Sequence, residues 1–137
     1  MTSEISYAKR TPIGKFLGSL STVPAPRLGA CLVADALAMT NLSKDNVDAI
    51  IMGNVLTGGV GQAPARQAAI YGGLSHHVCA TTVNRVCGSG LKAVMLADQS
   101  IQTGENQLVF AGGQESMSLA PHFFDGRRGQ KFGEMTV

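Results

Sequence analysis

The chain has 137 residues, with 11 Lys and Arg against 9 Asp and Glu, 45% hydrophobic residues and only 15% charged ones. That length suits one domain or an incomplete piece of a larger protein and excludes a fully folded multidomain enzyme. The apolar excess excludes intrinsic disorder, and a scattered net charge of +2 leaves no basic stripe for nucleic acid.

The opening M-T-S-E-I-S-Y carries an early acid and no apolar core, so no targeting segment is expected. Glu4 to Ala8 is predicted as a short strand, closed by the turn word T-P-I-G. From Arg27 to Thr40, Leu28, Cys31, Leu32, Ala36 and Met39 recur at three and four, one helical face, with Asn41 as its stop. Ser43 caps a short turn before A-I-I-M-G, an uninterrupted apolar run suited to a buried strand. The charge-free stretches 49–65 and 67–84 approach membrane-span length, but Gly, Pro, Gln, Asn, Thr and His interrupt them, so no transmembrane helix is expected.

L-T-G-G-V-G-Q-A-P is loop, and Pro64 opens a helix that ends at Tyr71 before Gly72 and Gly73. Cys79 to Val86, rich in Thr and Val, is a strand; Gly88 to Thr103 is a helix stopped by Gly104, with Leu91, Val94, Met95 and Ile101 expected against the sheet. Gln107 to Ala111 is a further buried strand, followed by the loop G-G-Q-E-S-M-S-L-A-P. After Pro121 the periodicity stops, as at the start of an insertion. Strands alternating with helices predict an α/β fold with a mainly parallel sheet and helices on both faces.

The sharpest chemical feature is V-N-R-V-C-G-S-G-L-K, a strand delivering Cys87 to a glycine-flanked turn that opens a helix. Helix N-termini favour anions, so this position favours the thiolate. Gly88 and Gly90 are expected to clear side chains from beside the sulfur and leave backbone N–H groups aimed at an oxyanion. A buried structural cysteine at a tight turn is the competing reading. His76, His77 and Cys79 lack four-ligand spacing and are read as a solvated turn, so no metal is expected. Glu115 and Ser116 are read as holding the loop after the last strand through side-chain to backbone bonds. Arg127, Arg128 and Lys131 are read as solvated surface in preference to phosphate ligands. Three cysteines, Cys31, Cys79 and Cys87, are an odd number without disulfide spacing, and a reducing, cytoplasmic compartment is expected.

Four words in order, A-K-R-T-P-I-G at 8–14, G-Q-A-P-A-R-Q-A-A at 61–69, V-N-R-V-C-G-S-G-L-K-A-V at 83–94 and G-G-Q-E-S-M-S-L-A-P at 112–121, resemble the N-terminal part of a thiolase. The resemblance implies a coenzyme A-dependent acyltransferase that condenses two acyl-CoA molecules or cleaves a 3-ketoacyl-CoA. It implies Cys87 as the nucleophile that carries the acyl group as a thioester, its backbone N–H as an oxyanion donor, an acyl-CoA substrate and no separate cofactor. It divides the chain into an incomplete thiolase-like N-terminal domain, 1–121, and the start of an inserted loop domain, 122–137. The chain departs from the family pattern at Arg85, usually Lys or Gln, at Gln114, usually Met, and in a shortened first strand.

Thiolases are two to three times longer, and their acid/base cysteine, histidine and asparagine lie in a second half. His76, His77 and His122 do not match the words of the family's catalytic histidine. The chain alone is therefore expected to be inactive, and a non-catalytic fragment or assembly subunit is one alternative. A ketoacyl synthase, with the same fold and nucleophile, is the other. The full-length protein is expected to be a homodimer or homotetramer; this chain alone is expected to self-associate through the edge at Thr81 to Val86, which the resemblance places at a dimer interface, unless Phe123, Phe124 and Phe132 cover the open sheet.

Overall fold

The computed structural model of the protein describes residues 2–123. The segment that holds Phe124, Arg127, Arg128, Lys131 and Phe132, and with it nearly all of the expected loop-domain start, lies outside the described residues. Three strands, β1 (Ala49–Gly53), β2 (Cys79–Val83) and β3 (Val109–Gly113), form a parallel sheet in the order β2-β1-β3. Three helices, α1 (Ala25–Thr40), α2 (Pro64–Tyr71) and α3 (Ser89–Gln102), cover it, and two short 3-10 turns lie at Lys44–Asn46 and Met117–Leu119. Among the described residues no helix is long and apolar enough to cross a membrane.

Central β1 is buried along its whole length, which is why its word reads as an unbroken apolar run. Successive side chains point to opposite faces. Ile50 and Met52 enter one cluster with Val33 of α1 and Ala65 and Ala69 of α2, while Ile51 enters a second with Ala93 and Ala97 of α3. Helices thus lie on both faces, as the alternating pattern predicts. α1 starts at Ala25, two residues before the expected Arg27, because Pro26 fits a first turn that needs no N–H from it. Asn41 ends it in the left-handed conformation, φ 53°, and Ser43 accepts a hydrogen bond from the Asp45 N–H.

Three expectations are corrected. No strand forms at Glu4 to Ala8. Instead, Ser3 bonds to Asp98 of α3, while Tyr7 and Lys9 bond to Asp35 of α1, the lysine at 2.8 Å. Those anchors hold the segment across an open cavity of about 370 Å³ from β3, where Phe110 and Ala111 line the far wall. Ile5 is exposed, so the segment has too little apolar surface buried to draw it into the ladder. β3, in turn, begins two residues later than expected, since the Asp48 carboxylate takes the N–H groups of Gln107 (2.7 Å) and Leu108 (2.9 Å).

The third correction concerns α3. Leu91, Val94 and Met95 are 70%, 38% and 43% exposed, whereas Ser89, Ala93 and Ala97, spaced four apart, face the sheet. The reason is proximity: a Cβ added at Gly53 would stand 2.5 Å from the Ser89 carbonyl carbon and 2.6 Å from the Gly90 nitrogen. Only small residues fit under a helix this close to the strand ends.

Gly53→Ala is therefore expected to destabilise the full-length protein by about 3 kcal/mol, at the upper end for overpacking. Gly112→Ala, whose added carbon would meet Met52 Sδ at an ordinary 3.8 Å, should cost under about 1 kcal/mol; denaturant unfolding of both variants checks the contrast.

The Leu108 and then the Gln107 backbone N–H hold the Asp48 carboxyl below its usual range. A carboxylate depressed on folding contributes its full stability above the unfolded value near pH 4 and loses it as pH falls through the lower folded value. Asp48→Asn should lower the melting temperature at neutral pH and flatten its decline between about pH 4 and pH 2, as a pH series of thermal melts would show.

Candidate active site

The three parallel strands end at one level, with Gly53 in register with Val83 on one side and Gly113 on the other. Each is followed by a carboxamide: Asn54, Asn84 and Gln114. The Asn54 N–H bonds to the Val83 carbonyl at 3.0 Å, and the Gln114 N–H bonds to the Gly53 carbonyl at 2.9 Å, so the ladder extends by one residue. Carboxyl ends of strands in an open parallel sheet are where loops can converge on a ligand.

β2 stops at Val83 instead of Val86 because the chain turns sharply there. Val86 adopts φ +50°, a left-handed conformation that is costly for a β-branched residue. Four bonds hold it. Its N–H donates to Asn84 Oδ1 at 3.0 Å. Its carbonyl accepts from Ser89 Oγ at 2.6 Å and from the Ser89 N–H at 3.1 Å. The Arg85 N–H donates to the same Ser89 Oγ at 2.8 Å. Ser89 is buried at the first position of α3, so its hydroxyl staples the turn to the helix.

Cys87 follows Val86 and immediately precedes Gly88, the residue that caps α3; its side chain is an exposed free thiol. The positive end of the helix dipole lies beside it. No hydrogen-bond acceptor for its backbone N–H is present among the described residues. The glycines play different parts from those expected. Gly88 donates its N–H to the Arg85 carbonyl at 3.1 Å, so that group belongs to the turn and is not free for an oxyanion. A side chain at Gly90 would point at the Gly113 backbone, 3.5 Å away, so Gly90 serves the contact with the sheet and not the space by the sulfur.

Glu115 holds backbone, as expected, but that of another loop: its carboxylate accepts from the N–H groups of Val55 (2.8 Å) and Leu56 (3.3 Å), after β1. Ser116 precedes the second 3-10 turn without capping it through its side chain. His76 and His77 are exposed before β2, where the His76 carbonyl accepts from Arg66 at 2.9 Å. Cys79 opens β2, and among the described residues no three ligating side chains gather for a metal. Phe123 does not cover the sheet; its ring lies against Gly58. The sequence reading missed Asn84, Ser89 and the strained Val86. A signal for the first two was present, since Asn and Ser beside a turn readily bond neighbouring backbone.

The two sides of this turn should respond oppositely to substitution. Val86→Gly removes a left-handed side chain and is expected to raise stability by about 1 kcal/mol. Ser89→Ala strips the Arg85 N–H of its acceptor and should lower it by about 1–2 kcal/mol, both read by denaturant unfolding of the full-length protein.

The family described as thiolase, N-terminal domain, matches residues 4–137. The chain is 55% identical over 124 residues to an acetyl-CoA acetyltransferase of Cupriavidus necator, covering 90% of this chain and 32% of that protein. It is 53% identical over 125 residues to acetyl-CoA acetyltransferase 2 of Arabidopsis thaliana, with 90% and 31% covered. With the acetyl-CoA acetyltransferase of Escherichia coli it shares 50% identity over 135 residues, 97% of this chain and 34% of that one. The chain thus spans about a third of the length of these curated relatives. A parallel α/β layer with a cysteine at the mouth of its third helix and a family match across nearly every residue lead to one conclusion: the chain belongs to the thiolase family, as its N-terminal domain.

Proposed function

We propose that the full-length protein transfers an acetyl or longer acyl group between coenzyme A and a carbon acceptor, with Cys87 as the covalent carrier. The observation that carries this reading is the exposed Cys87 thiol, set on a strained turn at the N-terminus of α3 in a chain of this family. The relatives named acetyl-CoA acetyltransferase support the same substrate class.

In the first step the Cys87 thiolate attacks the thioester carbonyl carbon of acyl-CoA, and the carbonyl electron pair moves onto oxygen. The Cys87 N–H is suited to meet that oxyanion. Collapse re-forms the carbonyl and expels coenzyme A as its thiolate, which takes a proton, leaving an acyl thioester on Cys87. In the second step a carbanion at the α-carbon of another acyl-CoA attacks that thioester and releases Cys87. The same groups run the reverse, thiolytic direction. The base that forms the carbanion and the acid that protonates coenzyme A belong, on this reading, to the second half implied by the resemblance. Coenzyme A is a substrate here, and no other cofactor enters.

The family match and the G-G-Q-E-S-M-S word favour thiolase chemistry over that of a ketoacyl synthase. Self-association of the full-length protein along β2 is part of the proposal, supported by that strand's position at an edge of the sheet and its half-exposed side chains. Three unpaired cysteines support a reducing, cytoplasmic setting.

Brief incubation of the full-length protein with acetyl-CoA should add one acetyl group, located by peptide mass mapping on Cys87. Cys87→Ala should abolish the adduct and lower turnover by at least about a thousandfold, the order expected when a nucleophile is removed. An acetyl group on another residue, or none, would sink the assignment.

A further inference from the structure

Glu115 does more than hold a neighbouring loop. One of its oxygens accepts from Asn54 Nδ2 at 2.8 Å and from the Leu56 N–H at 3.3 Å; the other accepts from the Val55 N–H at 2.8 Å and the same Leu56 N–H at 3.3 Å. The peptide group that joins Val55 to Leu56 is therefore held at both ends. Its N–H faces the carboxylate, and its carbonyl accepts from Asn84 Nδ2 at 3.3 Å. Asn84 Oδ1 then accepts from the N–H of Val86, the residue before Cys87. One unbroken series of hydrogen bonds runs from the end of β3, past the end of β1, to the strained turn after β2.

Each member of that series strengthens the next. An anionic acceptor on a peptide N–H makes the carbonyl of the same peptide a better acceptor, and an amide held by its donor end presents its oxygen in a fixed direction. Val86 needs such a fixed acceptor, since its left-handed conformation costs energy that the surroundings must offset. Nothing in the acyl-transfer steps uses Glu115 at the reacting atoms.

We propose that Glu115 is a positioning residue for Cys87, acting through the Val55–Leu56 peptide and Asn84 to keep Val86 in its left-handed turn and the thiol at the mouth of α3. This rests on the reading of Cys87 as nucleophile, and the test separates the two. The rate of Cys87 alkylation by iodoacetamide, followed across pH in the full-length protein, reports the setting of the thiol without any coenzyme A chemistry.

Glu115→Gln keeps the shape of the side chain but turns one acceptor into a donor. Asn84→Ser retains a hydroxyl able to accept from the Val86 N–H but is too short to reach Val55. Both variants should slow alkylation at neutral pH by about tenfold, with kcat falling and KM nearly unchanged. Loss of a negative charge by itself would favour the thiolate and act in the opposite direction, so slowing by Glu115→Gln reads the geometry. The double variant should be no slower than the slower single one, because both cut the same series.

A folded Glu115→Gln protein with the wild-type alkylation profile, or effects that multiply in the double variant, would overturn the proposal. Should Glu115→Gln fail to fold, Asn84→Ser decides: a wild-type profile overturns the proposal and a slowed one supports it. A protein that shows this alkylation pattern yet takes no acetyl group on Cys87 would leave the positioning standing and remove the proposed function.

Discussion

The distance between α3 and the strand ends governs this domain. Gly53, Gly90 and Gly113 meet there with backbone against backbone, and a single added carbon at Gly53 would collide with Ser89 and Gly90. Because that approach is so close, the face of α3 turned to the sheet is built from Ser89, Ala93 and Ala97. The same approach sets the first residue of the helix directly over the end of β1. Ser89 can then reach back to Arg85 and Val86, and the turn that presents Cys87 is fixed as a by-product of how the helix packs. Packing and presentation of the thiol are one constraint in this part of the molecule.

Much of the architecture was legible in the sequence. Pro64, the word A-I-I-M-G and the stop at Asn41 each carry a local physical signal, and the corresponding elements lie where those signals put them. The misreadings share a cause, in that tertiary contacts overrode local pattern. Periodicity alone assigned the large residues Leu91, Val94 and Met95 to the buried side of α3, as it does for an ordinary amphipathic helix. The glycines on the strands, far away in sequence, reverse that choice. Gln107 and Leu108 likewise look like strand, yet a carboxylate about sixty residues earlier holds their N–H groups. For the site, the position of Cys87 at a strand-to-helix turn was readable from its neighbours. The left-handed Val86 was not, since no residue type there announces it.

Acidic side chains do an unusual share of the joining. Asp48 ties β1 to the start of β3, Glu115 ties the end of β3 to the loop after β1, and Asp35 and Asp98 hold the first residues of the chain against α1 and α3. Lys9, then Tyr7, keep the Asp35 carboxyl below its usual range, and Ser3, then Gln102, do the same for Asp98. With few charges in the composition, Asp48 and Glu115 act where a ladder of backbone bonds stops, and a carboxylate accepting several N–H groups is a strong substitute.

The row of carboxamides at the strand ends bears on how the thiol can be studied and how it can operate. Asn54, Asn84 and Gln114 offer both donors and acceptors, yet a carboxamide has no proton to gain or lose over the range in which a thiol titrates. Nor has the Ser89 hydroxyl that closes the turn. Asn84 and Ser89 therefore keep their bonds to the turn unchanged across that range. The contacts nearest the thiol are deaf to acidity.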